Sequence, residues 1–119
     1  MDIAQLTARA MQIRARFAEF ENREFRRAWT REEIMQGFVV DVGDLMKLVM
    51  AKSGVRQVQD VDQKLGHELS DCLWCVLVLS KMYGLEIEQE FMKTMDGLDR
   101  WIMEKMQEAE PPSSMTRQP

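Results

Sequence analysis

Apolar positions recur every three to four residues in four successive stretches of the chain, and nowhere do they alternate with polar ones long enough to suggest a strand. In the first stretch, roughly residues 2–24, Ile3, Leu6, Ala10, Ile13, Phe17 and Phe20 share one face while Arg and Glu fill the rest, the pattern of an amphipathic surface helix. The second opens at Thr30, where Thr-Arg-Glu-Glu forms a capping box with Thr30 as N-cap and Glu33 at N3, and it runs to about Lys52, where Ser53-Gly54 stops it. Trp29, just before the cap, is set to pack on Ile34 one turn in. The third stretch begins near Asp60 or Asp62, whose carboxylates are expected to cap its first turn, and ends at Gly84 after Tyr83. Its second half, Leu73 to Ser80, is apolar nearly all round and is predicted to be buried on most sides. The fourth, about Ile87 to Glu108, carries Phe91, Met95, Leu98, Ile102 and Met106 on one stripe. Residues 110–119 lack apolar periodicity and read as a disordered C-terminal tail. The expectation is an all-α, four-helix-bundle-like domain spanning 1–109.

Length supports one core: 119 residues at 45% hydrophobic content suffice for a single compact domain and not for two. The helices offer more apolar surface than four short helices can cover for one another, which predicts an oligomer. Sixteen Lys and Arg against 20 Asp and Glu leave a formal charge of -4, so the basic excess of a nucleic-acid binder is missing. No apolar run approaches the ~20 residues of a membrane span and no signal-peptide apolar region precedes the first helix, so a cytoplasmic protein is expected. Cys72 and Cys75 have Cys-x-x-Cys spacing but sit inside an apolar helical segment, the setting of reduced, packed thiols and not of a redox pair. The 11 methionines fit adaptable helix packing.

The chemistry lies where charge interrupts the two most apolar stretches. Asp41 and Asp44 fall in Phe-Val-Val-Asp-Val-Gly-Asp-Leu, and Glu68 and Asp71 in His-Glu-Leu-Ser-Asp-Cys-Leu-Trp, each pair three residues apart and therefore on one helix face. Acids at this spacing are common on solvated faces, but Phe38, Val39, Val40, Val42, Leu45 and Leu48 leave little polar face around Asp41 and Asp44. Two such helices packed antiparallel would oppose four carboxylates, an arrangement that repulsion and desolvation disfavour unless a cation neutralises it. An all-oxygen donor set selects a hard ion, Mg²⁺ or Mn²⁺. Gly43, in mid-helix between the two aspartates, suggests close approach of another helix or a ligand. Lys52, Arg56 and Lys64 cluster near the connector as candidate phosphate contacts, and Trp29, Phe38 and Trp74 as candidate surfaces for a base, although aromatics at helical spacing are more often core. His67 adjoins Glu68 but is turned ~100° from it on a helix, outside the ligand set.

These two strings resemble the halves of the MazG-like signature, Glu-Glu-x-x-Glu on one helix and Glu-x-x-Asp on the next, over about residues 30–105. The resemblance implies an all-α nucleoside triphosphate pyrophosphohydrolase, cleaving the triphosphate to monophosphate and pyrophosphate with Mg²⁺, assembled as a homodimer or homotetramer. Non-canonical and deoxy nucleotides fall within its implied substrate range. It further implies Asp41, Asp44, Glu68 and Asp71 as metal ligands, with Glu68 and Asp71 also catalytic. Val40 stands where the signature has its first Glu, and both acids that follow it are Asp, shorter by one C–C bond of ~1.5 Å.

Three other readings compete. A di-iron carboxylate bundle requires Glu-x-x-His on two helices, and the single histidine is not three residues from any of these acids. A nucleotide-binding or assembly module of the same fold, weakened or inactivated by the shortened acids, differs from the enzyme in showing affinity without pyrophosphate release. A plain structural oligomer differs from both in responding to neither Mg²⁺ nor nucleotide.

Overall fold

The computed structural model describes residues 1–109, and the tail expected over 110–119 lies outside the described residues. Four helices carry the chain: α1 (Ile3–Phe25), α2 (Arg31–Lys52), α3 (Val61–Met82) and α4 (Ile87–Ala109), with no strand among the described residues. They fall into two compact units, Met1–Leu85 with α1 to α3 and a second from Glu86 with α4. No helix among the described residues is long and apolar enough to cross a membrane.

Local chemistry sets the helix ends. Asp2 caps α1 by accepting from the Gln5 N–H at 2.8 Å while the Gln5 side chain accepts from the Asp2 N–H at 2.8 Å, a capping box with Gln in the third position. The predicted box at α2 is present, with the Glu33 N–H donating to Thr30 Oγ1 at 3.2 Å and the Thr30 N–H to Glu33 Oε1 at 3.0 Å. Arg27 grips the same carboxylate with two nitrogens, which together with the Thr30 N–H holds the Glu33 carboxyl down at about 2. At α3 the expected side-chain cap is not made. Asp60 occupies the N-cap position in a left-handed conformation, φ 54°, and its side chain makes no cap hydrogen bond, because side-chain capping uses extended backbone at that residue. Asp62 instead pairs with Lys52 at 2.7 Å. Gly54 at φ +83° and Gly84 at φ +70° turn the chain after α2 and α3, a conformation that costs glycine little.

α2 and α3 pack as an antiparallel hairpin. Lys52 at the end of α2 meets Asp62 at the start of α3, and the Arg31 guanidinium at the start of α2 lies 4.9 Å over the Tyr83 ring just after α3. α1 lies on the apolar half of α3, where the Trp74 indole N–H donates to the Ala10 carbonyl at 3.2 Å and meets Phe17 edge-on at 6.1 Å. Ala10, Ile34, Leu48, Cys75, Leu77 and Val78 form the buried core. Phe17 and Phe20, expected on the covered face of α1, are 50% and 53% exposed. In the second unit, the α4 stripe of Phe91, Met95, Leu98, Ile102 and Met106 is exposed throughout.

Candidate metal centre and its flanking cavities

The hairpin brings the acids of its two helices together. One ligand oxygen each from Asp41, Asp44 and Glu68 lie within 4.8 Å of one another, and a second set joins Glu68 with Asp71 and His67. Glu68 is common to both sets, and its Oε2 is a buried side-chain oxygen without a hydrogen-bond partner. Burial first, and then Asp71, Asp41 and Asp44, push the Glu68 carboxyl above the usual carboxylate range. Asp41 is raised for the same reasons, burial followed by Asp71, with Asp44 adding to it. An all-oxygen set with an orphaned carboxylate oxygen fits a hard divalent cation.

Asp71 is tied to His67, whose Nε2 lies 3.1 Å from its Oδ2. Adjacency in sequence relates His67 to Glu68, but the relation that matters is i, i+4 to Asp71, where helix geometry makes side chains meet. The Cys75 thiol lies 3.8 Å from Asp41 Oδ2, and burial together with Asp41 pushes it up to about 12. Cys72 is also raised, mainly by burial. Both cysteines are free and neither is activated as a nucleophile.

Two cavities flank the acids. One, about 530 Å³, is lined by Asp44 and Glu68 together with Lys47, Lys64 and His67. The other, about 280 Å³, reaches Asp41 and is walled by Phe17, Phe20, Phe25, Trp29 and Trp74. Trp29 is held in that wall by a buried network: Arg14 donates to Glu21 Oε1 at 3.1 Å and to the Trp29 carbonyl at 2.7 Å, while the Trp29 N–H donates to Glu21 Oε1 at 2.7 Å.

Of the cations and aromatics singled out in the sequence, Lys64, Trp29 and Trp74 line these cavities and Phe38 lines neither. Lys52 is engaged by Asp62, and Arg56 lines a separate hollow after α2. Lys47 was missed, although it stands three residues after Asp44 on the same helix face. Gly43 makes no close approach among the described residues, since a Cβ built there meets nothing within 4 Å. Comparison with family models, with curated proteins and with solved structures finds no match to the chain.

Proposed function

We infer that the chain hydrolyses a nucleoside triphosphate to the monophosphate and pyrophosphate at a divalent-cation site formed by Asp41, Asp44 and Glu68, with Asp71 beside it, as the MazG-like enzymes it resembles do. One observation carries this reading. The carboxylate cluster sits between a cavity lined by cations and a cavity walled by aromatic rings, and it contributes side chains to both. A nucleotide has the same order of parts: phosphates, the phosphorus nearest the sugar, and a flat base.

Mg²⁺ or Mn²⁺ bound by Asp41, Asp44 and Glu68 would polarise phosphoryl oxygens and lower the pKa of a coordinated water. The remaining work falls to the chain. Lys47 and Lys64 offset the charge of the departing pyrophosphate. Asp71, oriented by His67, is the group we assign to take the proton as a water oxygen bonds to the α-phosphorus and the bridging P–O bond breaks. The products are the monophosphate and pyrophosphate, with one water consumed.

Assembly into a homodimer or homotetramer belongs to the same reading. Val39, Met46 and Met50 form an exposed stripe on α2, 61%, 63% and 36% accessible, and Gly43 lies in its middle at helical spacing. A second copy seated there would supply the close approach that Gly43 lacks among the described residues.

The test is product analysis with a panel of nucleoside triphosphates. Pyrophosphate and monophosphate in equal amounts, with Mg²⁺ or Mn²⁺ and not with a chelator, are expected. Release of diphosphate and inorganic phosphate would overturn the reading, and tight nucleotide binding without turnover would favour a non-catalytic binding module.

A further inference from the structure

The aromatic cavity holds a carboxylate that the hydrolytic chemistry does not use. Glu21 lines it and is 6% exposed, and both hydrogen bonds that it accepts, from Arg14 and from the Trp29 N–H, fall on Oε1. No donor among the described residues reaches Oε2. Arg14, in turn, has one guanidinium nitrogen on Glu21 and another on the Trp29 carbonyl. The walls around this acceptor are flat rings, and at about 280 Å³ the space falls at the small end of ligand pockets, room for one ring system and not for a whole nucleotide. Asp41, one of the proposed metal ligands, also lines it, so a ring seated here lies beside the proposed phosphate chemistry.

We propose that this cavity selects cytosine and adenine, through their 4-amino and 6-amino groups, over their keto counterparts uracil and hypoxanthine, with Glu21 Oε2 as the acceptor that discriminates. The amino group donates to Oε2 and gives that oxygen the partner it lacks among the described residues. A keto oxygen at the same position sets acceptor against acceptor and leaves a desolvated carboxylate oxygen unpaired, the situation in which sites reject an analogue most strongly. The faces of the rings give stacking and no base preference. Arg14 is a positioning residue, fixing the Glu21 rotamer and the Trp29 wall together.

The proposal rests on the nucleotide reading above, and the test separates the two. Matched pairs differing only in the amino group are used: cytidine against uridine and adenosine against inosine for binding by calorimetry without metal, and the corresponding triphosphates for turnover with Mg²⁺. The amino member of each pair is expected to have kcat/KM higher by at least roughly 100-fold, with the same order in metal-free binding. In Glu21→Gln, Oε1 retains both of its donors and an amide NH₂ replaces Oε2, so the preference inverts toward uracil and hypoxanthine. Because Glu21→Gln leaves Arg14 without its counter-charge and endangers folding, the wild-type pairs stand as an independent test. Equal turnover of all four triphosphates would overturn the base selection and leave the hydrolase intact. Cytidine binding over uridine with no turnover of any triphosphate would uphold the selection and remove the hydrolase.

Discussion

Replacing Glu68 with Gln is expected to move stability in opposite directions with and without a divalent cation. Glu68 is the acid shared by both carboxylate sets, and one of its oxygens is buried without a partner. At the 4.8 Å that bounds these separations, two unit charges repel by about 0.9 kcal/mol in water-like surroundings and about 3.5 kcal/mol at an effective dielectric of ~20. Glu68 is half-buried, so the two figures bracket the repulsion and the lower one sets its minimum. Removing its charge should stabilise the metal-free protein by on the order of 1 kcal/mol, a rise in melting temperature of roughly 4 °C for a chain of this size. With the cation at a hundred times its Kd, the wild type gains about 2.7 kcal/mol, or roughly 10 °C, by mass action. The Glu68→Gln variant lacks the shared anionic ligand and should lose most of that gain. Melting both proteins by circular dichroism, in chelator and in millimolar Mg²⁺, reads the two effects separately. A variant less stable than wild type in chelator, with an unchanged response to Mg²⁺, would refute the reasoning.

Further outcomes are expected. Thr30→Ala removes the N-cap of α2 and should cost about 1 kcal/mol in chemical denaturation; no measurable loss would mean that the Arg27–Glu33 contact alone holds this helix end. The Glu33 carboxyl lies at about 2 in the folded chain against an ordinary 4.5, so its contribution is complete above 4.5 and disappears as pH falls toward 2. Glu33→Gln keeps a capping-box residue without the charge, so its stability should approach that of wild type progressively from pH 4.5 downward and converge on it only near pH 2; a constant difference from pH 7 to 2 would contradict the assignment. Light scattering should find no monomer at micromolar concentration, and Met46→Glu, near neutral for an isolated chain at a site 63% exposed, should break the assembly. A monodisperse monomeric wild type would remove the second copy from the account.

How far the sequence reached depends on which distances periodicity controls. The four helices were legible because three of their ends carry local signals: the Thr30 capping box, Gly54 and Gly84. The missing Asp60 cap was not legible, since it turns on a backbone angle that no residue type dictates. Asp41, Asp44 and Glu68 were legible as a group because i, i+3 spacing on two apolar helices leaves one way to face both acid pairs inward. The cation partners were read less well. Lys52 lies two turns from Asp44, but the chain reversal after α2 gives it to Asp62. The aromatic cavity was half visible, through Trp29 and Trp74. Its other aromatic walls come from α1, whose Phe17 and Phe20 looked like ordinary core positions and whose Phe25 lay beyond the periodic stretch. The Arg14–Glu21 pair, at a spacing of seven on an otherwise charged helix, gave no sign in sequence that it would be buried.

The central claim, that water attacks the phosphorus nearest the sugar beside the Asp41, Asp44 and Glu68 carboxylates, is tested most directly by running the hydrolysis in heavy-oxygen water with Mg²⁺ and weighing both products. The account predicts one heavy oxygen in the monophosphate, unlabelled pyrophosphate, and loss of the reaction in Asp44→Asn and Asp71→Asn by at least roughly 100-fold, the scale of a positioned acid–base group. Label in the pyrophosphate, or Asn variants that retain the wild-type rate, would contradict it.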